Sequence, residues 1–514
     1  MLRTTFSTLR QLHLNGRNHI WGYYVRNLVR PLWLSMPENR VDVLVGNPPW
    51  LRYSKMPGAM QDRYKRLAKE RNLLSGTLGA SARDLSTLFV TRAVELYLKP
   101  EGRFGFVMPH GTLTRKPHHG FRTGRWNTNS QTVSGLAASF EESWEFVRIR
   151  TGFPMVSCVI FGRKVASTSA SSMPSVTKNW KGTFSNHAQT WEKVQDRVTI
   201  TPGRVTQHDP SEPAPVSPYA KRFRQGALIL PRMLVCVERV DAGPLGAGAG
   251  RVKLTSRRST QDKEPWKFLD SLTATVSESF VFPLLLGETV LPYRMQKPLE
   301  CVVPIRDRKI LSASAIRATP DLDSWWSLAE AGWAANRSKS DSTPLNDRID
   351  YHGQLSAQLA ADAPYRVCYT SSGSRLAAAI TTDERAIVEH KLYWAPAHTM
   401  SEARYLEAIL NSPVLLERVK PLQNLGLFGE RDFDKYVFLV PFPAWDAGND
   451  DHAVIARLAQ RAETVAATVE VGGAKTFQQA RRLVDAALAA DGVAAELARA
   501  IDAVIPSVDP DAAE

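Results

Sequence analysis

The chain runs to 514 residues, 43% of them hydrophobic, with 65 Lys and Arg against 51 Asp and Glu for a net charge of +14. That length predicts two to four domains with sizeable cores. The opening Met1-Leu2-Arg3-Thr4-Thr5-Phe6-Ser7 holds no apolar signal region, no run approaches a membrane span, and Cys158, Cys236, Cys301 and Cys368 show neither zinc-site nor disulfide-framework spacing. These features set aside secreted, membrane-spanning and zinc-built classes and lead us to expect a cytoplasmic protein with buried thiols. The charge is lopsided: residues 1–300 hold 43 Lys and Arg against 22 Asp and Glu, and residues 301–514 hold 22 against 29. A basic first portion points to a polyanion partner.

The first strong element is the apolar run Val41-Asp42-Val43-Leu44-Val45-Gly46, which reads as a strand and runs into Asn47-Pro48-Pro49-Trp50. Two prolines fix φ and remove backbone donors, so the loop is stiff and its carbonyls are free to accept hydrogen bonds. In an open α/β sheet, such a loop at a strand's carboxyl end is where ligands sit. The set suits methyl transfer to a planar amine. The Asn47 side-chain oxygen and the Pro48 carbonyl would accept from the amine hydrogens and free the delocalised lone pair, a stabilisation directed at the transition state. Trp50 offers a flat face to a base that has left the duplex stack. The plain alternative is a proline-rich turn with an incidental tryptophan.

Asp84-Leu85-Ser86-Thr87-Leu88-Phe89 then opens an amphipathic helix predicted to reach Leu98, with Asp84 as its N-cap, and Lys99-Pro100-Glu101-Gly102 closes it. Residues 103–109 read as the next strand. The basic loop Arg115-Lys116-Pro117-His118-His119-Gly120-Phe121-Arg122 follows, expected to be solvated, to hold DNA phosphate and to carry no metal. Residues 144–149 and 156–162 read as a strand pair joined through Gly152-Phe153-Pro154.

In this order the pieces resemble the amino-methylating DNA methyltransferases, most closely the large adenine-N6 enzymes of type IIG restriction–modification and BREX-like systems. The resemblance implies that Asn47, Pro48, Pro49 and Trp50 form the catalytic motif and that Asp84 and Phe89 border S-adenosylmethionine. It places Phe153 where a second aromatic meets the flipped base, and it makes Ile20–Leu28 the helix that precedes the catalytic strand. It also implies a cofactor loop rich in glycine, which the 46 residues before Asn47 do not contain. The cluster Gly246-Ala247-Gly248-Ala249-Gly250 precedes a strand-like run, not a helix, and reads as a flexible loop. A clipped N-terminal segment or a partner subunit supplying that loop is therefore expected.

Downstream, Ser167–Ser172 and Asp209–Pro215 read as linkers. Leu228–Pro231, Phe280–Leu286 and Tyr436–Pro441 read as strands and Glu402–Ser412 as a helix. The loop Gly426–Lys435 falls where the family places its DNA-recognition domain, so Arg257, Arg258, Arg431 and Lys435 are expected to touch double-stranded DNA. The expected fold is α/β: a partial Rossmann-like methyltransferase sheet, then a mixed α/β DNA-recognition domain and a helical C-terminal tail. Its boundaries are 1–165 for the catalytic half, 166–225 for a linker and irregular region, 226–446 for recognition and 447–514 for the tail. Three activities fit: adenine-N6 DNA methylation, a DNA-binding specificity subunit or relic without activity, and methylation of another planar amine such as a protein glutamine amide.

Overall fold

The structure is a computed structural model that describes residues 2–16, 20–74, 83–126, 136–150, 156–183, 190–205, 207, 216–259, 262–338, 341–373, 375–420, 423, 425–426, 429–430 and 433–505. Its backbone divides into two compact units, Met1–Pro213 with Asn424–Gly429, and Ala214–Gln423 with Glu430–Glu514.

Unit 1 is built on a mixed sheet of β1 (Val41–Gly46), β2 (Leu98–Pro109), β3 (Ala137–Phe140), β4 (Ser143–Arg150), β5 (Ser157–Val165), β6 (Val176–Thr183) and β7 (Val198–Arg204). The spatial order is β1-β2-β5-β4-β6-β7, and β3 pairs with β5 beside β4. Helices α1 (Leu2–Leu14), α2 (Ile20–Ser35), α3 (Gly58–Glu70) and α4 (Ser86–Tyr97) complete the unit. β1 and β2 are parallel, with Leu44 opposite Phe104 and Gly46 opposite Phe106, and the chain crosses between them through α3 and α4, as a parallel pair requires. β5 then runs antiparallel to β2, and it is also antiparallel to β4 as expected for that strand pair, with Trp144 of β4 opposite Val159.

β2 begins directly at Leu98, so Lys99–Gly102, read as a helix stop, lies inside the strand. The helix end is closed from β5: the Lys164 ammonium donates to the carbonyls of Val94, Glu95 and Leu98 at 3.0, 3.2 and 2.9 Å. A cation there satisfies orphan carbonyls and complements the helix dipole, while burial pushes its pKa down to about 8. The core behind β2 is aromatic. Phe121 stacks on Trp126 with ring centroids 5.3 Å apart, and Phe104 meets Phe140 edge-on at 6.0 Å.

Part of the expected linker at 166–225 is ordered sheet. β6 runs parallel to β4 and β7 antiparallel to β6, through Trp180 opposite Ile200. The Ser-rich stretch folds back onto β3, where the Ser139 and Ser171 hydroxyls are 2.7 Å apart. Polar composition suggested a linker, but hydroxyls suit an exposed sheet edge equally well.

Unit 2 carries two larger sheets and, among the described residues, two short two-stranded ones at residues 290–295 and 305–310. The first contains β9 (Cys236–Arg239), β10 (Arg251–Ser256), β11 (Thr273–Ser277), β12 (Val281–Leu285), β13 (Leu299–Val302) and β16 (Ile387–Val388), in the order β11-β10-β9-β13-β12-β16. The second contains β8 (Arg224–Gln225), β14 (Tyr365–Thr370), β15 (Ala378–Thr381) and β17 (Leu392–Ala397), in the order β15-β14-β17-β8. Helix α5 (Pro320–Asn336) packs on the first sheet through Trp325, whose indole donates to the Leu234 carbonyl at 3.0 Å. Helix α6 (Met400–Asn411) ends at Ser412 as expected. It buries Tyr405, Leu406 and Ile409 against α7 (Asp450–Thr468), whose small Ala459, Ala462 and Ala466 admit a close approach. The tail adds α8 (Phe477–Asp491) and α9 (Val493–Val504), so the expected helical tail is built of three helices among the described residues.

Two expected strands are absent. Residues 228–230 form only local turns, and Tyr436–Leu439 is a buried 3-10 turn. In both, apolar content signalled burial without specifying the backbone that achieves it.

Candidate active site

The site starts at the carboxyl end of β1. Gly46 sits against Phe106, where an added Cβ would come within 3.3 Å of the ring. The chain then leaves the sheet through Asn47, which is exposed, Pro48, which is buried, Pro49, which is exposed, and Trp50, which is half-buried. A buried proline between exposed neighbours anchors the loop and presents the Asn47 amide outward.

The loop is tied at once to the start of α4. Tyr53 donates its backbone N–H to the Arg83 carbonyl and Leu85 donates to the Leu51 carbonyl, both at 2.9 Å, so Arg52 and Asp84 face each other across a short antiparallel bridge. This pairing brings Asp84, 34 residues further along the chain from Trp50, beside the Asn-Pro-Pro-Trp loop. The Asp84 carboxylate accepts the Ser86 N–H at 2.9 Å and the Ser86 hydroxyl, a turn just ahead of α4; the N-cap is Leu85 and not Asp84 as expected, because Asp84 is held one residue earlier in the bridge to Arg52. The Tyr64 hydroxyl donates to the Asp84 carbonyl at 3.2 Å. Phe89, one turn into α4, is exposed.

The basic loop leaves β2 at the same end of the sheet as the Asn-Pro-Pro-Trp loop, because β1 and β2 are parallel. It is not solvated as expected. His118 is fully buried, with Nε2 3.8 Å from Asp84, too far for a hydrogen bond. Burial first, then the cations Arg115, Arg122 and Arg83, push its pKa down to about 4 against the pull of Asp84. Arg83 donates from Nε to the Pro117 carbonyl at 2.9 Å, and Arg122 donates to the carbonyls of Thr112 at 3.2 Å and Arg115 at 2.7 Å. These two buried arginines pin the loop from inside and leave Arg115 and Lys116 half-buried on its surface. Sequence reading missed Arg83 as an anchor and placed Arg122 and His118 in solvent. Charged residue types signal exposure on average, and only the surrounding carbonyls reverse it. A further buried network, His110 Nε2 to Glu145 at 2.8 Å with Thr177 on the same carboxylate, holds the end of β2 to β4 and β6.

Of the remaining predicted residues, Phe153 and Arg431 lie outside the described residues. In unit 2, Arg257 is 3.8 Å from Glu238, and Arg258 donates to the carbonyls of Leu269, Trp266 and Lys267 at 2.8, 3.2 and 2.8 Å, holding its own loop. Lys435 is exposed and donates to the Ala220 carbonyl at 3.3 Å. The glycine cluster occupies turns that lead into β10, with Gly246, Gly248 and Gly250 at positive φ, and opens no helix.

Residues 19–135 match the Eco57I restriction-modification methylase family, a span that contains the Asn-Pro-Pro-Trp loop, Asp84 and the basic loop. A search of curated proteins found no match. Among solved structures, the type IIL restriction–modification enzyme MmeI in complex with DNA is similar at 12% identity and TM-score 0.51, over 91% of this chain and 55% of that one. The type IIG restriction endonuclease BpuSI matches at 14% identity and TM-score 0.27, over 88% and 55%, and the DrdV–DNA complex at 12% and 0.40, over 86% and 46%. The chain thus spans about half the length of the solved structures it matches. The likeness to MmeI establishes the fold: a partial methyltransferase sheet, a mixed α/β region and a helical C-terminal part. Together with the Eco57I match, it bears out the resemblance to the methyltransferases of restriction–modification systems.

Proposed function

We propose that this chain carries the catalytic wall and the DNA-recognition part of an adenine-N6 DNA methyltransferase that uses S-adenosylmethionine. The observation that carries this reading is the Asn47-Pro48-Pro49-Trp50 loop at the carboxyl end of β1, bridged to Asp84, inside the segment that matches the methylase family. An adenine turned out of the duplex stacks on Trp50, and its exocyclic hydrogens meet the Asn47 amide oxygen and the Pro48 carbonyl. Two acceptors fixed before the reaction favour the pyramidal amine, whose lone pair can attack. Arg115 and Lys116, on the same end of the sheet, neutralise backbone phosphate and set the register of the duplex. In unit 2, Arg257 and Lys435, with Arg431, are the proposed DNA contacts.

S-adenosylmethionine supplies the methyl group when bound. This chain's residues fit one wall of a site for it, with Asp84 and Phe89 at the start of α4. They do not fit its glycine-rich cradle, since the glycine cluster feeds a strand. The sheet edge beside β1 offers a place for the rest. Val43 and Val45 are 60% and 75% exposed, and Leu28 and Leu32 of α2 are also exposed. Apolar strand residues bared at a parallel edge need a further strand and covering helices. We therefore place the cofactor-binding polypeptide on that edge. A DNA-binding subunit without activity is the second reading, favoured by the same missing cradle.

Calorimetric titration of S-adenosylmethionine into the purified chain, followed by methyl transfer to duplex DNA with and without Asn47→Ala, tests both. Transfer that falls by about 10²–10³-fold in the variant supports the catalytic role. Transfer indifferent to Asn47 overturns it. DNA binding without transfer, even with a cofactor-bearing partner present, leaves the second reading in place.

A further inference from the structure

Unit 2 contains a cavity of about 550 Å³ walled by Phe280, Phe282 and Ile305 and ringed by Arg306, Arg308, Arg366 and Arg385. Each guanidinium is held by neutral groups. Arg306 lies over the Phe280 ring at 5.4 Å and reaches the Thr319 hydroxyl at 3.4 Å. Arg308 donates to the Leu359 carbonyl at 2.8 Å and to the Ala361 carbonyl. Arg385 covers Phe282 at 4.7 Å and donates to the Ser279 and Val281 carbonyls at 3.1 and 2.9 Å. Arg366, 6% exposed on β14, donates to the Asp383 carbonyl. Asp307, Asp362 and Glu384 also line the cavity, yet among the described residues none of them forms an ion pair with any of the four arginines.

Some arginines of this unit sit on carboxylates, as Arg239 on Glu300 at 2.8 Å and Arg404 on Glu463 at 2.8 Å, and others on carbonyls, as Arg294 on Val469 at 2.6 Å; here four of the carbonyl- and ring-held kind meet at one cavity. Four cations fixed by carbonyls and rings, and outnumbering the three carboxylates that line the same cavity, are arranged for an anion. Guanidinium forks match phosphate oxygens two at a time. The volume lies in the range of small-molecule sites and exceeds what a lone ion needs. The apolar walls suit an uncharged body, and the three carboxylates at the rim can accept from its hydroxyl or amino groups.

We propose that this cavity binds a phosphorylated small molecule of nucleotide size. The site is independent of the methyl-transfer reading and stands or falls separately from it.

The test is calorimetric titration of the full chain with ADP, with pyrophosphate and with adenosine. Saturable binding of ADP and pyrophosphate is expected, with none for adenosine. The exposed pair Arg306→Gln with Arg308→Gln should weaken ADP at least tenfold, as should Arg366→Gln, while Arg239→Gln leaves it unchanged. The rim pair keeps the test readable if the buried Arg366→Gln variant fails to fold. Absence of ADP and pyrophosphate binding overturns the proposal, and so does ADP binding that ignores all three arginines. Displacement of ADP by a short DNA duplex whose own affinity falls in the same variants also overturns it, since the arginines would then belong to a DNA path.

Discussion

The two units handle charge in opposite ways. Residues 1–213 hold 30 Lys and Arg against 14 Asp and Glu, whereas residues 214–514 hold 35 against 37. Unit 2 matches its cations with a near-equal number of carboxylates and pairs several of them directly, as in the Arg232–Glu389 and Arg404–Glu463 pairs. Unit 1 buries Arg83, Arg122 and Lys164 on backbone carbonyls and keeps a net excess. It also bares Val43 and Val45 at a sheet edge. Unit 2 is thus balanced in charge by its own residues. Unit 1 carries a net positive charge and an exposed apolar edge strand, as the proposed DNA and cofactor-bearing partners would require.

The sharpest way to break this contrast is to remove an internal counterion from unit 2. Glu389 is fully buried and accepts from Arg232 at 3.0 Å and from the Lys391 N–H at 2.9 Å. Glu389→Ala should lower the stability of unit 2 by about 3–5 kcal/mol, read from its transition in urea, because it strands a cation. A loss under 1 kcal/mol would mean that unit 2 does not depend on internal neutralisation.

Unit 1 should respond instead to acid. Burial holds His118 neutral with its pKa down at about 4, whereas an unfolded imidazole titrates near ~6.5. Between these values the unfolded chain binds a proton that the folded chain does not. The stability is therefore full above pH ~6.5 and is lost as pH falls towards 4, up to about 3 kcal/mol. His118→Gln should remove that part of the slope, and an unchanged slope would show that the imidazole is not the group sensed.

A smaller effect separates the units as DNA-binding surfaces. Replacing Arg115 and Lys116 by Gln should reduce the salt dependence of DNA binding by about 0.9 in the log–log slope for each phosphate no longer neutralised. Arg258→Gln should leave that slope unchanged, since Arg258 is committed to three carbonyls of its own loop. An equal drop from both would erase the distinction.

The least perturbing change tests the bare edge. Val45→Lys should alter the stability of the chain alone by no more than about 0.5 kcal/mol. It should nevertheless abolish association with a cofactor-bearing polypeptide in sedimentation. Association that survives the substitution would place that polypeptide elsewhere.

Local chemistry was readable in advance wherever a few adjacent residues dictate their own backbone. Val41–Gly46 followed by two prolines had to be a strand closed by a stiff loop, and the apolar period after Asp84 had to be a helix, since proline geometry and side-chain periodicity act within a few residues. What distant segments supply was not readable. The Arg52–Asp84 bridge, the burial of His118 under Arg83 and Arg122, and the strands β6 and β7 depend on partners far along the chain. So does the placement of Cys236 opposite Cys301 on neighbouring strands, two thiols that sequence spacing had kept apart. The sequence alone determined the Asn-Pro-Pro-Trp loop, because its conformational limits are local. Tertiary structure alone decided which cations are buried, which strand edge stays bare and which arginines surround a cavity, because burial and charge compensation are properties of assembled neighbours.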